Sequence, residues 1–247
     1  MGNVGESRSD RIDAGEGGTD RAIAASWDAE YRSGRYIGEP PLPFVDDIVA
    51  AARAHGLAPG CGLYVGCGNG RNYLPLVASG LDLVGLDLSS VAIAQLTHRA
   101  SERTDRLVCG NISALPAGAR YPIVIAIQVL QHGDEVTSHR GVQAAKELVA
   151  PGGLLCVRVN AVGSEVDYEH DVEERGDDGR CTIRYRAGPK RGLAVHFFSA
   201  PELRGLLQDG FEPVLPLRRS VTHRATPQQG SWSQWEGIWR REPARPR

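Results

Sequence analysis

The stretch that decides the fold reads Tyr64-Val65-Gly66-Cys67-Gly68-Asn69-Gly70-Arg71. An apolar run ends at Val65, three alternate glycines follow, and a helical pattern begins at Arg71. Glycine is needed where a ligand approaches the backbone, because a Cβ would occupy the space of the ligand. The stretch therefore predicts a strand, a ligand-binding loop and a helix in succession.

Strand and helix patterns alternate on both sides of this loop. The predicted strands are residues 63–65, 81–86, 106–109, 123–127 and 154–159, and the predicted helices are 71–79, 91–99 and a third marked by Val142, Ala145, Leu148 and Val149. Ser90 is the expected N-cap of the second helix, since its hydroxyl would accept from an unpaired N–H. The alternation predicts a parallel sheet with helices on both faces.

The segments outside this alternation differ in character. Residues 1–20 are rich in Gly, Ser and charge, which predicts a disordered segment or one that lies on the surface. Residues 21–247 are predicted to form one domain, in which 21–56 are a leader with two helices and 161–198 an inserted antiparallel β excursion. Ser199 and Glu202 have the spacing of a capping box. Residues 214–222 and 232–240 are expected to form a closing antiparallel pair.

The composition narrows the class and the partners. The 247 residues are 41% apolar and 23% charged with a net charge of −2, which is typical of a globular protein and favours neither nucleic acid nor an anionic membrane as a partner. Five cysteines without a C-x-x-C pair argue against a disulfide framework and a zinc site, so no metal is predicted. With no apolar run of about 18 residues, we expect a cytoplasmic protein. We also expect it to be monomeric or homodimeric.

A carboxylate stands at the end of the next predicted strand. In an open α/β sheet, Asp87 would face a ribose bound at the carboxyl ends of the first two strands. Dinucleotide-binding loops have the pattern G-x-G-x-x-G, but Arg71 occupies the third glycine position here. The glycine pattern favours S-adenosylmethionine over NAD, and an NAD-dependent oxidoreductase is the alternative.

From Trp27 to about Gly153 the chain resembles the class I S-adenosylmethionine-dependent methyltransferases. The resemblance rests on VGCGNGR at residues 65–71, GLDLS at 85–89, GNISALP at 110–116, VLQH at 129–132 and PGG at 151–153. It implies an α/β, Rossmann-like, seven-stranded and mostly parallel sheet whose last strand is antiparallel. It also implies an enzyme that transfers the methyl group of S-adenosyl-L-methionine and releases S-adenosyl-L-homocysteine.

The resemblance also assigns the cofactor contacts. Gly66, Cys67, Gly68 and Gly70 would border the methionine part, Asp87 would hold the ribose, Leu88, Asn111 and Ile112 would border the adenine, and Ile127 and Gln128 would lie along the cofactor. The chain departs from the family pattern at three positions, since Tyr64 and Pro122 stand where acids are usual and Asn111 where Asp is usual. The Asn111 amide oxygen would still accept from the adenine amino group. These departures keep open a non-catalytic, cofactor-binding scaffold.

The leader contains aromatic residues suited to a lid. Trp27-Asp28, Tyr31 and Gly34-Arg35-Tyr36 resemble the W-D-x-x-Y-x-x-G leaders of small-molecule methyltransferases, which lie over the cofactor. Aromatic faces also attract a sulfonium cation. Tyr31 and Tyr36 are therefore expected at the cofactor, and the alternative is that these rings only pack the leader onto the core.

Histidines supply the candidate general base. His132 follows the fourth strand and is the predicted catalytic residue, which is needed only if the acceptor arrives protonated. His196 is a second candidate, and a structural role is the alternative for both. The insertion and the closing pair are expected to form the acceptor pocket, with Gln228, Gln229 and Trp232 at its border.

These patterns indicate methyl transfer to nitrogen or oxygen of a small molecule or a short modified peptide, as in natural-product biosynthesis. A thiol or chalcogen acceptor is the alternative, because similar leaders occur in thiopurine- and tellurite-type methyltransferases. The acidic residues of the insertion would form a solvated face or a surface that steers a cationic amine or a peptide N-terminus.

Overall fold

Ten strands are found in the part of the chain that the structure describes. This computed structural model describes the backbone of residues 8–57, 60–223 and 230–243, and the side chains from residue 20 onward within those ranges. The strands are β1 (Cys61–Val65), β2 (Asp82–Asp87), β3 (Leu107–Cys109), β4 (Tyr121–Ile127), β5 (Val149–Asn160), β6 (His170–Arg175), β7 (Cys181–Tyr185), β8 (Ala194–Phe197), β9 (Phe211–His223) and β10 (Ser231–Arg241).

Six α-helices connect and flank these strands in the described ranges. They are α1 (Arg8–Arg32), α2 (Phe44–Ala54), α3 (Tyr73–Ala78), α4 (Ser90–Arg99), α5 (Glu135–Glu147) and α6 (Ala200–Gln208). Two short 3₁₀ turns, Ser101–Arg106 and Ile112–Ala114, flank β3. No helix among the described residues is both long enough and apolar enough to cross a membrane.

The main sheet has the strand order β3-β2-β1-β4-β5-β10-β9. β1 pairs in parallel with β2 on one side and with β4 on the other, so the chain order reverses at β1. β10 runs antiparallel to both β5 and β9. The predicted Rossmann-like sheet with an antiparallel last strand is confirmed, and its carboxyl edge at β1, β2 and β4 is where ligands bind in such sheets.

The two faces of the sheet bury separate apolar clusters. Tyr64 of β1 faces one cluster together with Phe44 of α2 and Leu76 of α3. Its neighbours on β1 face the opposite cluster, which includes Val142 of α5 and Leu203 of α6. Alternate residues of one strand thus pack on opposite layers, which holds the carboxyl end of β1 rigidly between them.

Side-chain caps start the helices that border the sheet. Ser89, and not the predicted Ser90, caps α4, because the Ser89 hydroxyl accepts from the Ala92 N–H at 3.0 Å while Ser90 is already helical. The predicted capping box of α6 is present. Ser199 Oγ accepts from the Glu202 N–H at 3.1 Å, and a Glu202 carboxylate oxygen accepts from the Ser199 N–H at 3.0 Å.

The insertion forms its own antiparallel sheet in the order β6-β7-β8. Its last strand lies against the main domain, where His132 and Val195 form an isolated antiparallel bridge. The predicted acidic face of the insertion is partly neutralised by ion pairs. Arg184 contacts Glu173 at 2.5 Å, and Arg186 contacts Asp171 at 2.7 Å.

Helix α1 begins at Arg8, within residues 1–20, which the sequence predicted to be disordered or to lie on the surface. Residues 8–20 carry three glycines and few apolar side chains, so they give no amphipathic signal. Extending a helix costs less than nucleating one, and this stretch continues without a break from the half of α1 that packs on the domain. Residues 1–7 lie outside the described part of the chain.

Candidate functional site

A cavity of about 450 Å³ opens at the carboxyl edge of β1, β2 and β4. Twelve of the thirteen predicted site residues line it, namely Tyr31, Tyr36, Gly66, Cys67, Gly68, Asp87, Leu88, Asn111, Ile112, Ile127, Gln128 and His132. The remaining one, Gly70, does not. The fold therefore gathers residues from α1, from four strand ends and from the loop before α5 around one space.

The glycine loop approaches this space with its backbone. Gly68 has φ +55°, and a Cβ at this position would lie 2.5 Å from the Tyr31 hydroxyl oxygen. A side chain there would thus collide with the aromatic ring that covers the loop. Gly70 serves a different purpose, because its Cβ would lie 2.6 Å from a methyl group of Leu96 in α4. Gly70 lets helices pack closely, and Gly68 keeps the cavity open.

Asp87 stands buried at the end of β2 beside the loop. One carboxylate oxygen accepts from the Gly68 N–H and the other from the Ser89 N–H, both at 2.8 Å. Burial raises the pKa of Asp87, while these two backbone hydrogen bonds act in the opposite direction. Each oxygen keeps a further acceptor position, so the carboxylate is built to receive a pair of hydroxyl groups from the cavity.

The leader covers the loop through polar contacts on its other side. Asp28 of α1 accepts from the Ser89 hydroxyl at 2.6 Å and from the Val91 N–H at 3.2 Å, where it caps the start of α4. The side chain of Gln95 donates to the backbone oxygen of Tyr31 at 3.0 Å. Tyr31 is only 6% exposed. These contacts place the Tyr31 ring over the glycine loop, as the lid hypothesis requires.

The insertion reaches across to the leader and closes the same side. Lys190 Nζ lies 3.5 Å from the centre of the Trp27 ring and 3.0 Å from a carboxylate oxygen of Glu30. The Ser26 hydroxyl donates to the Pro189 backbone oxygen at 3.1 Å. This contact could not be predicted, because nothing in the sequence of either segment indicates the other.

His132 lines the cavity beneath this contact. Its ring meets the Trp27 ring edge-to-face at a centroid distance of 5.4 Å. Burial and the nearby positive charge of Lys190 lower the pKa of His132 to about 3, against a hydrogen bond to the Gln128 backbone. Nε2 is buried and has no hydrogen-bond partner among the described residues. The ring is therefore neutral, and the lone pair of Nε2 is not engaged by any described residue.

Comparison with known proteins identifies this arrangement. Residues 63–153 match the family described as "Methyltransferase domain". The matched region, residues 63–153, is thus similar to a methyltransferase domain. The chain is 32% identical over 158 residues to the ubiquinone biosynthesis O-methyltransferase of Methylobacterium sp. (strain 4-46), which covers 58% of this chain and 62% of that protein. Across such curated relatives the chain spans 38% to 62% of their length.

Solved structures show the same fold. The Burkholderia thailandensis 1,6-didemethyltoxoflavin-N1-methyltransferase, with bound 1,6-didemethyltoxoflavin and S-adenosylhomocysteine, has a TM-score of 0.61 at 18% identity and covers 98% of this chain and 93% of its own. The magnesium protoporphyrin IX methyltransferase from Synechocystis PCC 6803, with bound S-adenosylmethionine, has a TM-score of 0.59 at 17% identity and covers 98% and 100%. The predicted fold is thereby confirmed.

The methyltransferase site departs from expectation at the predicted adenine end. Asn111 Oδ1 accepts from the N–H of Ser113 at 2.9 Å and from its hydroxyl at 2.5 Å, and Asn111 Nδ2 donates to Asp20 at 2.5 Å. Both acceptor positions of the amide oxygen are used. The expected hydrogen bond from Asn111 to an adenine amino group is therefore not available in this arrangement. Asp20, which the sequence placed in a disordered segment, lines the cavity instead.

The predicted methionine end lacks the family's usual acid. The hydroxyl of Tyr64 accepts from the side chain of Asn72 at 3.3 Å, and burial keeps the pKa of Tyr64 raised, so this phenol is neutral. Arg71 also lines the cavity, and its guanidinium is held by the Pro40 backbone oxygen at 2.7 Å. The neutral phenol of Tyr64 thus stands where the family pattern has a carboxylate.

Backbone strain is concentrated at this cavity. Tyr36 with φ +63° and Gln128 with φ +56° are the two non-glycine residues of the described chain in the left-handed region, and both line the cavity. Such conformations cost energy and persist only where the surroundings impose them. Arg35 and Arg71 cover the Tyr36 ring at 4.9 and 5.4 Å from its centre. That ring already receives two cations, which leaves Tyr31 as the better candidate to face a sulfonium.

The described residues that were predicted at the acceptor pocket lie outside the cavity, unlike most of those predicted to bind the cofactor. His196 and Trp232 do not line the cavity, and the Trp232 indole N–H donates to Asn160 at 3.1 Å. Gln228 and Gln229 lie outside the described residues. The wall beyond His132 is formed by the first turns of α5, through Thr137, Arg140, Gly141 and Ala144. The sequence marks this helix only by Val142, Ala145, Leu148 and Val149, and it carries no signal that the polar side of the helix borders the site.

Proposed function

We propose that this protein uses S-adenosylmethionine to methylate a nitrogen or oxygen atom of a small molecule or a short modified peptide. The observation that carries the proposal is the joining, in one cavity, of a glycine loop, a carboxylate with two remaining acceptor positions and the unpartnered Nε2 of His132. The glycine pattern with Arg71 in the third position argues in the same direction.

The residues present fit the proposed cofactor. A volume of about 450 Å³ lies within the usual range for small-molecule sites. The cradle at Gly68 would be filled by any Cβ, and Asp87 offers two acceptor positions for the ribose hydroxyls. Leu88 and Ile112 supply apolar contact at the adenine end. When bound, S-adenosylmethionine supplies a methyl group on a positively charged sulfur, which needs no further activation.

The chain's own residues then position the acceptor and take up its proton. Trp27, Tyr31 and Lys190 close the cavity and exclude water. The closed cavity also holds the acceptor atom in line with the methyl group. Neutral His132 accepts the N–H or O–H hydrogen of the acceptor at Nε2. As the acceptor atom would bond to the methyl carbon, the carbon–sulfur bond would break and S-adenosylhomocysteine would leave, while Nε2 of His132 would take up the acceptor's proton and pass it to solvent after product release. Base assistance is typically worth about 100- to 10,000-fold in rate and is largest when the pKa of the base lies near the operating pH, so a base with a pKa of about 3 belongs at the lower end of that range.

Support for the type of acceptor comes from the relatives. One curated relative is named for O-methylation and one structural neighbour for N1-methylation, and both act on small molecules according to their names. A natural-product role suits the compact cavity bordered by α5. A thiol acceptor is a weaker candidate, because a thiol ionises near neutral pH and gains little from the lone pair of His132.

Two measurements test the proposal. Calorimetry should show binding of S-adenosylhomocysteine at one site per chain and no binding of NAD, and the reverse result would return the oxidoreductase alternative. Labelled S-adenosylmethionine should then transfer its methyl group to members of a panel of amines, phenols and short peptides. Binding without transfer to any N, O or S acceptor would favour the scaffold alternative.

A variant separates the role of His132 from binding. His132→Asn should lower kcat by at least about 100-fold with little change in the Kd for S-adenosylhomocysteine. Because the pKa of His132 is about 3, its protonation should not produce an acidic limb near pH 6.5 in the kcat profile. A tenfold or smaller loss in kcat would assign the ring to a structural role.

A further inference from the structure

Three potential metal ligands converge at a second place in the fold, where the insertion meets the main domain. His139 of α5 approaches Glu202 of α6 with Nε2 at 2.6 Å from Oε1, and His196 of β8 approaches the same oxygen with Nε2 at 2.9 Å. All three ligand atoms lie within 4.8 Å of one another. None of these residues lines the cavity described above. The cluster is therefore distinct from the methyltransferase site.

The hydrogen bonds of His196 leave its Nε2 facing a carboxylate. Thr182 Oγ1 donates to Glu174 at 3.2 Å, so its single proton is used, and it accepts at 3.0 Å from Nδ1 of His196. With Nδ1 bonded to Thr182, Nε2 of His196 faces Glu202 Oε1 at 2.9 Å, and either a proton or a metal cation must lie between these two atoms. His196 is fully buried, so water cannot screen this contact.

The surroundings suit a divalent cation. Thr182 fixes the ring of His196 from behind, and the Ser199 N–H holds the second oxygen of Glu202 at 3.0 Å, as outer-shell partners of metal ligands do. The side chain of His139 is 30% exposed, which leaves a path to solvent.

One positive charge borders the cluster and is already paired. Arg180 Nε lies 3.9 Å from Glu202 Oε1, but it is closer to Glu135, at 3.1 Å, and its NH1 lies 2.8 Å from Asp178. Three acids, Glu135, Asp178 and Glu202, surround this arginine. The local field therefore favours a cation at the open side of His139.

We propose that His139 Nε2, His196 Nε2 and Glu202 Oε1 bind one zinc ion, with a water molecule as the fourth ligand. Two imidazoles and one carboxylate are a known tetrahedral ligand set for zinc, with ligand bonds of roughly 2.0–2.2 Å. Ligand atoms at such distances are roughly 3–3.5 Å apart, so the two contacts to Glu202 need to lengthen by about half an ångström. The ion would tie α5, β8 and α6 together and so fix the insertion on the domain.

The test uses untagged, full-length protein stripped with a chelator, and zinc chloride as the probe. Titration against a chromophoric zinc chelator should reveal one site per chain, and zinc should raise the Tm. An exposed thiol such as that of Cys109 is a competing zinc ligand, so all titrations are made in a Cys109→Ser background. Cobalt substituted for zinc should give the intense visible bands of four-coordinate Co²⁺.

Four variants assign the ligands. His139→Ala should weaken zinc binding at least about 100-fold, beyond the loss usual for an outer-shell partner. Glu202→Gln should do the same while keeping the capping box, since Gln serves at that position. Thr182→Val should weaken binding about 10- to 100-fold by releasing the ring of His196. His98→Ala, which removes an exposed histidine of α4, should leave zinc binding unchanged.

The outcomes decide the proposal directly. One equivalent of zinc in the parent and in His98→Ala, together with its loss in His139→Ala and Glu202→Gln, supports the site. Absence of a saturable equivalent, or equal affinity in His139→Ala, overturns it and shows that a proton rather than a metal joins the cluster. Loss of fold in one variant does not decide the result, because the cobalt spectrum of the Thr182→Val protein reads the same ligands independently.

Discussion

Replacement of Asp87 by Asn tests the cofactor site most directly. The carboxylate uses one acceptor position of each oxygen for a backbone N–H, from Gly68 and Ser89. We infer that the two remaining positions receive the ribose hydroxyls. Asn has one oxygen and no charge, so it forfeits at least one hydrogen bond to a charged acceptor, worth about 1.5–3 kcal/mol. The Kd for S-adenosylhomocysteine should therefore rise roughly 10- to 160-fold.

The assay is calorimetry with a matched control and a matched ligand pair. Asp82→Asn changes the same residue type at the other end of β2, where Arg103 and Arg106 pair with it outside the cavity. That variant should bind as the parent does. Competition by adenosine and by 2′,3′-dideoxyadenosine then isolates the ribose contact, because only Asp87→Asn should lose the preference for adenosine. An unchanged preference, or a Kd within twofold of the parent, would refute the assignment.

Three further predictions follow from the same geometry. Gly68→Val should abolish binding of S-adenosylhomocysteine, measured by calorimetry, because the new side chain meets the Tyr31 hydroxyl in a backbone conformation that valine rarely adopts; normal binding would contradict the cradle. Lys190→Met should lower the free energy of unfolding in urea by about 1–3 kcal/mol, since Glu30 is left buried with a more distant partner, and adding Glu30→Gln should restore part of it. Because the pKa of His132 is lowered in the folded protein, the unfolded chain binds more protons between about pH 3 and 6.5. The free energy of unfolding should therefore fall as the pH drops through that window, by at most about 1.4 kcal/mol per pH unit. His132→Asn should flatten this slope.

The sheet and the cofactor half of the site could be predicted because their signals are local. An apolar strand, a glycine run and an acid at the next strand end all lie within residues 63–87, and parallel strands bring their carboxyl ends together. The residues after β3 and β4 follow by the same rule. Small errors came from competition between neighbours, as when Ser89 rather than Ser90 became the cap of α4.

The acceptor half could not be predicted in the same way. The contact between Lys190 and Glu30 joins segments far apart in sequence, and neither segment has a period that indicates the other. The engagement of Asn111 with Asp20 depends on α1 extending over the cavity, although its first half has no amphipathic pattern. His139, His196 and Glu202 lie on three elements, so no spacing rule applies to them.

The insertion connects the two sites that the sequence treats as separate. Its strand β8 receives a hydrogen bond from the Gly133 N–H to the Ala194 oxygen at 3.0 Å, and the His196 N–H donates to the Gln131 oxygen at 2.9 Å. His132 lies between these two bonds, so the backbone that carries the proposed base is fixed by the strand that carries a proposed zinc ligand. Lys190 then joins the loop before β8 to the leader. Because β8 and the loop before it contact the segment of His132, the leader and the proposed zinc site, the position of β8 determines the shape of the acceptor pocket. Zinc bound at His196 would therefore alter kcat for a bulky acceptor more than it alters the Kd for the cofactor.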